Sequence, residues 1–389
     1  MNNETIKKNI LYICTPSSIH DQKWITYFAE QKEKYTVYVL YEKQNPLLDE
    51  KTDKVLKNAH INILNPIDSF SISAPFKTIK SILRIRKLIR TYNINIVHVL
   101  FATPYAIWTN FISTPYFITT RGSDVLIVLP ALLTEKKMKG VYFKFLYFLF
   151  KKAFTSAKHI TCTSHLQANK ISDLFNIKNA KIIRTGIDVE TVSNSKNKEL
   201  ISPDLVNKKF IISPRFFAPI YNIELQVNSI RYLPKEIINE YIFVFIKGKN
   251  FDSKYAESLI LKLENLKNEC GLTYKIEDYL SQEKLWTYFN FASLTILTPL
   301  SDGTPNSALE AMAAKCPLII PDLNYDKVLF QDTCLILSEN NPIQLANLIT
   351  KALNNYPEQL LKQAFKQVNL FGNRQIEMDK LNDLYKNIR

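Results

Sequence analysis

Two acidic residues, Asp302 and Glu310, flank the predicted junction between a loop and a helix. Pro305, Asn306 and Ser307 stand between them and are residue types that favour a helix start. The free backbone N–H groups and positive dipole end of such a helix suit a diphosphate. Glu310, inside the helix, can accept paired hydrogen bonds from vicinal hydroxyls such as those of a ribose, and Asp302 can reach a second hydroxylated group. The spacing therefore predicts a donor site for a nucleotide-sugar.

The segment 298–322 resembles the donor-binding motif of the retaining glycosyltransferases with the GT-B fold, in particular glycosyltransferase family four (group 1 glycosyltransferases). Their usual form is E-G-x-P, a short spacer and E-A-M-A-x-G-x-P. Asp302 replaces the first glutamate here, and Lys315 departs from the small residue of the motif. The positions that match the motif are Gly303, Pro305, Glu310, Ala311, Met312, Ala313 and Pro317.

The resemblance implies transfer of a sugar from a nucleoside diphosphate with retention at the anomeric carbon. Asp302, with the N–H groups of Gly303 and Thr304, would hold the donor sugar. Glu310 would hold the ribose, and Arg215, at the end of a predicted strand, would face the diphosphate. The resemblance implies no metal and no other cofactor, and the sequence contains no D-x-D triplet.

The chain departs from the family in the stretch that follows Arg215. Family members usually carry a lysine about five residues after this arginine, whereas Tyr221 and Asn222 occupy that stretch here. We expect Lys247 or Lys249 to supply the missing positive charge. The donor-side candidates here are therefore Tyr221, Asn222, Lys247 and Lys249.

A second departure lies in the first half of the chain, where ITTRGSD resembles a strand that commonly ends in a histidine followed by Gly-Ser-Asp. Arg121 takes the place of the histidine, and a guanidinium cannot act as a base. It can pair with a phosphate or an acidic acceptor, so Arg121 and Asp124 are catalytic candidates, with a local ion pair between them as the alternative. Ser17, Ser18 and His20 replace the glycine-rich turn often found after the first strand, and they are candidates for the acceptor side.

Strand and helix patterns alternate along the whole sequence, which predicts an α/β fold with two Rossmann-like, doubly wound parallel sheets facing a cleft. The predicted domains are 1–190 and 208–365. Residues 191–207 are polar without periodicity and predict a linker, and residues 366–389 predict a helical tail that packs back toward the first domain. His98 lies inside an apolar strand and is predicted to be a core histidine.

The charge of the chain is unevenly distributed. The 389 residues carry a net charge of +14, and all of this excess lies in residues 1–200. A basic helix is predicted at 76–92, and the segment 136–154 mixes lysines with aromatic residues. An ordinary helix packed on a sheet explains the first, but both also suit an anionic membrane surface. No nucleic-acid motif is present, and five cysteines without a CxxC pair fit a reducing compartment.

These observations predict a metal-independent, retaining glycosyltransferase that is cytoplasmic and docks on the inner face of the cytoplasmic membrane. Its donor would be of the UDP or GDP type, and its acceptor a carbohydrate or lipid-linked glycan in cell-surface polysaccharide synthesis, such as lipopolysaccharide or capsule. Two alternatives stay open: a nucleotide-sugar 2-epimerase of the same fold, and a non-enzymatic protein that binds nucleic acid or another anionic surface.

Overall fold

Parallel strands joined by helices run through both halves of the chain. The computed structural model describes residues 7–45, 50–134, 140–249, 251–323 and 325–388. They divide into two units, of which unit 1 is Met1–Thr185 together with Met378–Arg389, and unit 2 is Gly186–Glu377. Each unit holds one parallel sheet with helical connections, which confirms the predicted α/β class and the two Rossmann-like domains.

Unit 1 contains a seven-stranded sheet in the order β3-β2-β1-β4-β5-β6-β7. Its strands are β1 (Lys8–Ile13), β2 (Tyr35–Leu40), β3 (Asn62–Ile63), β4 (Ile96–Leu100), β5 (Tyr116–Thr120), β6 (His159–Cys162) and β7 (Lys181–Ile182). Its helices are α1 (Ile19–Glu30), α2 (Glu50–Asn58), α3 (Pro75–Thr91), α4 (Ala102–Tyr105), α5 (Leu129–Thr134), α6 (Val141–Thr155) and α7 (His165–Phe175), with a 3₁₀ helix at Ala106–Phe111 and a π-helical turn at Asp124–Val128.

Unit 2 contains a six-stranded sheet in the order β10-β9-β8-β11-β12-β13. Its strands are β8 (Lys209–Ser213), β9 (Tyr241–Ile246), β10 (Tyr274–Glu277), β11 (Leu294–Ile296), β12 (Leu318–Pro321) and β13 (Leu335–Leu337). Its helices are α8 (Val189–Asn194), α9 (Ile223–Ser229), α10 (Lys235–Glu240), α11 (Ser253–Cys270), α12 (Gln282–Phe291), α13 (Asn306–Ala313), α14 (Lys327–Phe330), α15 (Pro342–Asn354) and α16 (Glu358–Phe371). The final helix, α17 (Arg374–Lys386), begins in unit 2 and continues into unit 1.

The central strands are apolar because helices cover both faces of each sheet. In β4 all five residues are buried, and in β8 the last four are buried. Such continuous apolar runs are typical of parallel sheets. Strand order reverses between β1 and β4 in unit 1, and between β8 and β11 in unit 2. Ligands of open α/β sheets bind at such switch points, beyond the carboxyl ends of the strands, so these two places are where a site is expected in each unit.

Some elements differ from the sequence predictions. Residues 191–207, predicted as an unstructured linker, contain most of α8 and two 3₁₀ turns, and they belong to unit 2, where Val192 and Leu205 are buried in the core. The strand β7 ends at Ile182. Gly186 then takes a positive φ of 66°, and a Cβ there would lie 2.6 Å from the Cα of Arg374, so this position accepts only glycine.

The helix α17 completes the core of unit 1. Met378, Leu381 and Tyr385 are fully buried there against the layer that covers β1 and β4. Polar contacts fix the same helix, since Tyr27 donates to Asp379 at 2.6 Å, and Lys8 Nζ donates to three carbonyls at the end of the helix. The predicted tail is therefore two helices, α16 and α17, of which the second belongs to unit 1 from Met378 onward.

A buried polar network links this helix to β4. His98 is fully buried, its Nδ1 contacts the hydroxyl of Tyr385, and its Nε2 lies 2.6 Å from Thr119 Oγ1. The hydroxyl of Tyr385 lies 3.0 Å from that of Tyr12. The prediction of a satisfied core histidine is confirmed. Burial and, to a smaller extent, the charge of Arg121 lower the pKa of His98 from 6.5 to about 3.

Acidification should weaken unit 1 through His98. The unfolded chain takes up a proton near the ordinary pKa of about 6.5 and the folded chain does not, so stability is lost as pH falls from 6.5 toward 3. The loss between pH 7.5 and 5 is about 2 kcal/mol for this one group. Asp21 opposes this loss, because burial raises the pKa of its carboxyl to about 6 in the folded chain. The folded chain therefore takes up this proton before the unfolded chain does, and the contribution of Asp21 to the free energy of unfolding rises over the same fall in pH.

Urea unfolding of the wild type and of His98→Gln at both pH values separates the two groups, because Asp21 is common to both proteins. We expect the wild type to lose about 2 kcal/mol more than the variant on acidification. Equal losses in the two proteins would contradict the assignment.

Candidate active site

Arg215 and Asp302 form an ion pair at the switch point of unit 2. Arg215 follows the end of β8, and Asp302 lies in the loop after the neighbouring strand β11. Arg215 Nη2 donates to Asp302 Oδ2, and both side chains are less than one-fifth exposed. The chain therefore brings these two predicted residues together, at the place where the fold favours a ligand.

The guanidinium of Arg215 packs over an aromatic ring. Its Cζ lies 4.2 Å from the ring centroid of Tyr221, a distance typical of a cation–π contact. Tyr221 in turn packs edge-on against Phe216. The ring of Tyr221 thus occupies the stretch where the family has a lysine, and it orients the cation of Arg215 rather than adding a second charge.

The loop after β11 is fastened to the loop after β8. Thr298 Oγ1 lies 3.0 Å from the carbonyl oxygen of Asn222, and Leu300 N donates to Ile220 O at 2.8 Å. Asn222 adopts the left-handed conformation, with φ of 48°, and its side chain donates to Asn340. Its role in the structure is therefore to shape and anchor the loop beside the Arg215–Asp302 pair.

The helix α13 begins beside the same pair, as the motif predicted. Pro305 is its N-cap and Asn306 its first residue, and Ser307 Oγ lies 3.5 Å from Arg215 Nη1. Asp302 Oδ1 accepts from the backbone N–H of Gly303 at 2.8 Å. An anion placed near Arg215 would therefore also meet the start of a helix. Thr304, which precedes the cap, is half-buried in the same loop.

Glu310 is buried inside α13 and faces the helix α12. Its Oε1 accepts from Trp286 Nε1 at 3.0 Å and from Gln282 Nε2 at 3.5 Å. Within the described chain no residue donates to its second oxygen, Oε2. The two donors orient the carboxylate, and its role toward a ribose stays a prediction. The sequence predicted the helix that carries Trp286 and Gln282 but gave these residues no role.

Tyr325 is a further residue that the sequence analysis missed. Its hydroxyl and the Nε of Arg215 are buried, and neither has a hydrogen-bond partner within the described residues. Burial raises the pKa of Tyr325, and the charge of nearby Asp302 raises it further while Arg215 lowers it. Two unsatisfied buried polar groups near one another leave hydrogen-bonding capacity for water or a polar ligand. The only available signal was position, since Tyr325 follows β12, the neighbour of β11.

The two candidate lysines of unit 2 contact other groups. Lys247 forms an ion pair with Asp278 and lies 5.1 Å from the ring centroid of Phe251, and Lys249 lies over the ring of Tyr279 at 4.4 Å. Lys247 directly follows β9, the strand next to β8, so it shares an edge of the sheet with Arg215. Lys249 is exposed. The role of either lysine toward a diphosphate stays a prediction.

In unit 1, Arg121 pairs with Asp21 rather than with Asp124. Arg121 Nη1 lies 2.5 Å from Asp21 Oδ1, both side chains are at most one-tenth exposed, and Nη2 donates to the carbonyl of His20 at 3.3 Å. The alternative of a local ion pair between the side chains of Arg121 and Asp124 is therefore wrong. The guanidinium is held by α1, a partner roughly a hundred positions earlier in the chain.

Asp124 is fully buried and holds backbone. Its Oδ1 accepts from the N–H groups of Arg121 and Gly122 at 3.0 and 2.9 Å, and its Oδ2 accepts from Ala102 N at 2.8 Å. These bonds tie the loop after β5 to the loop after β4. The carboxylate thus positions the two loops, and a catalytic role for Asp124 stays a prediction.

Ser17, Ser18 and His20 lie at the carboxyl end of β1, beside the switch point of unit 1. The helix α1 begins at Ile19, so His20 lies inside its first turn and is exposed. Ser18 is the N-cap by position, but its side chain makes no capping hydrogen bond. The two serines are half-buried.

Residues with metal-binding side chains do not cluster in the described part of the chain, where no group of three or more His, Cys, Asp and Glu could hold an ion. None of the described helices is long and apolar enough to cross a membrane.

Family comparisons agree with the architecture of both units. Residues 9–164 match the family of glycosyl transferase 4-like domains, and residues 196–367 match the glycosyl transferases of group 1. No curated protein matches the sequence.

Solved structures with the same fold span the whole chain. A glycosyltransferase from Rickettsia africae is 14% identical, covers 98% of this chain and 99% of its own, and gives a TM-score of 0.75. Anabaena Alr3699/HepE in complex with UDP and glucose is 11% identical, with 97% and 99% covered and a TM-score of 0.72. The sucrose-phosphate synthase from Thermosynechococcus elongatus is 15% identical, with 98% of both chains covered and a TM-score of 0.69. At these identities the likeness establishes the fold.

Proposed function

Because this chain is a glycosyltransferase of the group 1 family, we propose that it transfers a sugar from a nucleoside diphosphate, with retention and without a metal ion, to a glycan or lipid-linked acceptor. One observation carries the proposal. Arg215, Asp302 and the start of α13 meet at the switch point of unit 2, where buried donors of Arg215 and Tyr325 have no partner within the described residues. That arrangement suits a diphosphate with a sugar attached.

In the proposed reaction the bond between the anomeric carbon and the diphosphate oxygen breaks, and its electron pair goes to the diphosphate. The acceptor hydroxyl oxygen bonds to the same face of that carbon, and its proton passes to the leaving phosphate oxygen. Arg215 and the N–H groups at the start of α13 stabilise the growing negative charge, which is the main catalytic term available to such a site. Asp302 holds sugar hydroxyls, and Glu310 Oε2 accepts from the ribose.

The donor base is proposed to be of the UDP or GDP type. Anabaena Alr3699/HepE, which shares the fold, was solved with UDP and glucose, and the buried carboxylate of Glu310 suits the ribose common to both nucleotides. The basic charge of the first half supports an anionic, lipid-linked acceptor at the inner membrane face, and with it a place in cell-surface polysaccharide synthesis. The proposed location is the cytoplasm.

A thermal-shift screen of UDP, GDP and ADP tests donor binding. A nucleotide at about a hundred times its dissociation constant should stabilise the fold by about 2.7 kcal/mol. We expect one base to stabilise the wild type equally with and without EDTA, and Glu310→Ala to lose that stabilisation. Glu283→Ala, an exposed glutamate on α12, should keep it. No stabilisation by any nucleotide, or loss with EDTA, would contradict the proposal.

Incubation of the nucleotide-sugar without acceptor separates transfer from 2-epimerisation. All five histidines lie in unit 1, at positions 20, 60, 98, 159 and 165, so unit 2 supplies none to an epimerase centre. We expect no interconversion of 2-epimers by NMR, and a retained anomeric configuration in the product once acceptor is added. Appearance of the epimer would favour the alternative enzyme.

A further inference from the structure

The helix α3 presents an apolar stripe to solvent, on the side away from the core of unit 1. Phe76 is 86% exposed, Ile79 51% and Leu83 59%. With 3.6 residues per turn these three side chains share one face of the helix. Thr78 and Ile85 are buried and lie on the opposite face. A helix packed on a sheet needs only one apolar face, so this second one is not explained by the fold.

Positive charge surrounds the stripe. The helix Pro75–Thr91 contains no Asp or Glu. Lys80, Lys87 and Arg90 fall on the same face as Phe76 and are exposed. The basic residues of the helix are Lys77, Lys80, Arg84, Arg86, Lys87 and Arg90. An apolar stripe bordered by lysine and arginine is the pattern of a helix that lies in a membrane interface, with lysine stems along the apolar surface and charges toward lipid phosphates.

A second exposed patch lies on the same face of the sheet. On α6, Phe145 is 43% exposed and Phe148 57%, while the helix buries its other side in the core cluster that also holds Ile85. The 3₁₀ helix Ala106–Phe111 connects the two, because Arg86 Nε donates to Phe111 O at 2.7 Å and Asn110 donates to the carbonyl of Leu149 at 3.0 Å. Residues 136–139 of the predicted aromatic segment lie outside the described residues.

The start of α3 lies at the same edge of the sheet as the predicted acceptor-side residues, although α3 and α1 cover opposite faces of that sheet. In a strand–helix–strand unit of a parallel sheet the helix runs antiparallel to the strands, so the start of α3 lies at the carboxyl edge of the sheet. Ser17, Ser18 and His20 are at this same edge. A surface that binds lipid here would hold the carboxyl edge of this sheet toward the bilayer.

We propose that the exposed face of α3, formed by Phe76, Ile79, Leu83, Lys80, Lys87 and Arg90, docks unit 1 on an anionic lipid bilayer, with Phe145 and Phe148 of α6 as an adjoining contact. Its purpose rests on the proposed function, since docking presents a lipid-linked acceptor to the carboxyl edge of the sheet. The binding itself depends only on the apolar stripe and its cations. Charge complementarity selects anionic lipid over zwitterionic lipid.

Co-sedimentation with phosphatidylglycerol-containing vesicles tests the docking, with pure phosphatidylcholine vesicles as the reference. We expect binding to the anionic vesicles at low salt, and a loss of about tenfold or more when Phe76, Ile79 and Leu83 are all replaced by serine. The matched control replaces three exposed apolar residues of unit 2 by serine: Leu261, Val328 and Ile343. This control should bind as the wild type does.

A fluorescence measurement on single tryptophan variants tests the docking even if the serine triple variant fails to fold. Phe76→Trp should show a blue shift of its emission on addition of anionic vesicles, while Leu261→Trp in unit 2 should not. The idea is overturned if wild type does not bind at low salt, if the serine triple variant binds unchanged, or if random oligonucleotides displace the protein from anionic vesicles. Nucleotide stabilisation of the triple variant, measured without vesicles, reports separately on the proposed donor site and should equal that of the wild type.

Discussion

Arg215→Ala is expected to lower kcat/KM for sugar transfer by about 10²–10³-fold, the usual effect of removing one preorganised charge-stabilising donor. Arg215 Nη1 lies 3.5 Å from Ser307 Oγ at the start of α13, and its guanidinium is already held by Asp302 and by the ring of Tyr221. Because leaving-group charge develops at the transition state, the loss should fall mainly on kcat. Initial rates at several donor concentrations measure it.

The same substitution also leaves the carboxylate of Asp302 without its partner. The effect of this unpaired charge must be separated from the loss of catalysis. Asp302→Asn alone should free Arg215 and raise the affinity for the nucleoside diphosphate, while lowering the transfer rate. A double-mutant cycle of Arg215→Ala and Asp302→Asn then isolates the coupling between the two residues. Arg231→Ala, an exposed arginine of the same unit, is the control and should keep full activity. An Arg215→Ala enzyme with unchanged kcat would contradict the proposed site.

Deleting residues 378–389 is expected to abolish the cooperative folding of unit 1. The deletion removes five buried apolar side chains from its core: Met378, Leu381, Leu384, Tyr385 and Ile388. Burying side chains of this size contributes on the order of 10 kcal/mol in all, before the entropy of ordering the helix is deducted. That is comparable to the whole stability of a typical domain.

Hydrogen exchange measures this effect unit by unit. Amides of β1 and β4 should lose protection in the truncated chain, while amides of β8 and β9 keep theirs. Leu381→Ala should have a smaller effect of the same kind and lower the free energy of unfolding of unit 1 by about 2–5 kcal/mol. Lys386→Ala, an exposed residue of the same helix, should change little. Unchanged protection of β4 after truncation would show that α17 is dispensable.

The sequence predicted the local elements of segment 298–322 well because their signals are local. The motif at 298–322 contains a strand, a loop with Asp302 and a helix that begins near Pro305, and each depends on residues within a few positions of one another. Strand order then brings β8 beside β11, which places Arg215 opposite Asp302. Alternating elements predict such a parallel sheet, so this pairing was within reach of sequence reasoning.

The contacts that escaped prediction join residues far apart in the chain. Arg121 pairs with Asp21 in α1, and its near neighbour Asp124 instead holds the backbone of two loops. Residues 191–207 were wrongly predicted as a linker for another reason. Its buried residues, such as Val192 and Leu205, are too few and too irregularly spaced to give a helical or strand period, although they pack into the core of unit 2.

The placement of α17 has a consequence for synthesis of the protein. Residues 378–388 leave the ribosome only after all of unit 2 has been translated, which takes roughly ten to forty seconds at about 5–20 residues per second. During that time the nascent unit 1 keeps open the apolar layer, including Trp24, Phe28 and Phe117, that α17 later covers. Unit 2 can therefore complete its fold before unit 1, although it is made second. The uncovered apolar layer of unit 1 is where a chaperone would bind the growing chain.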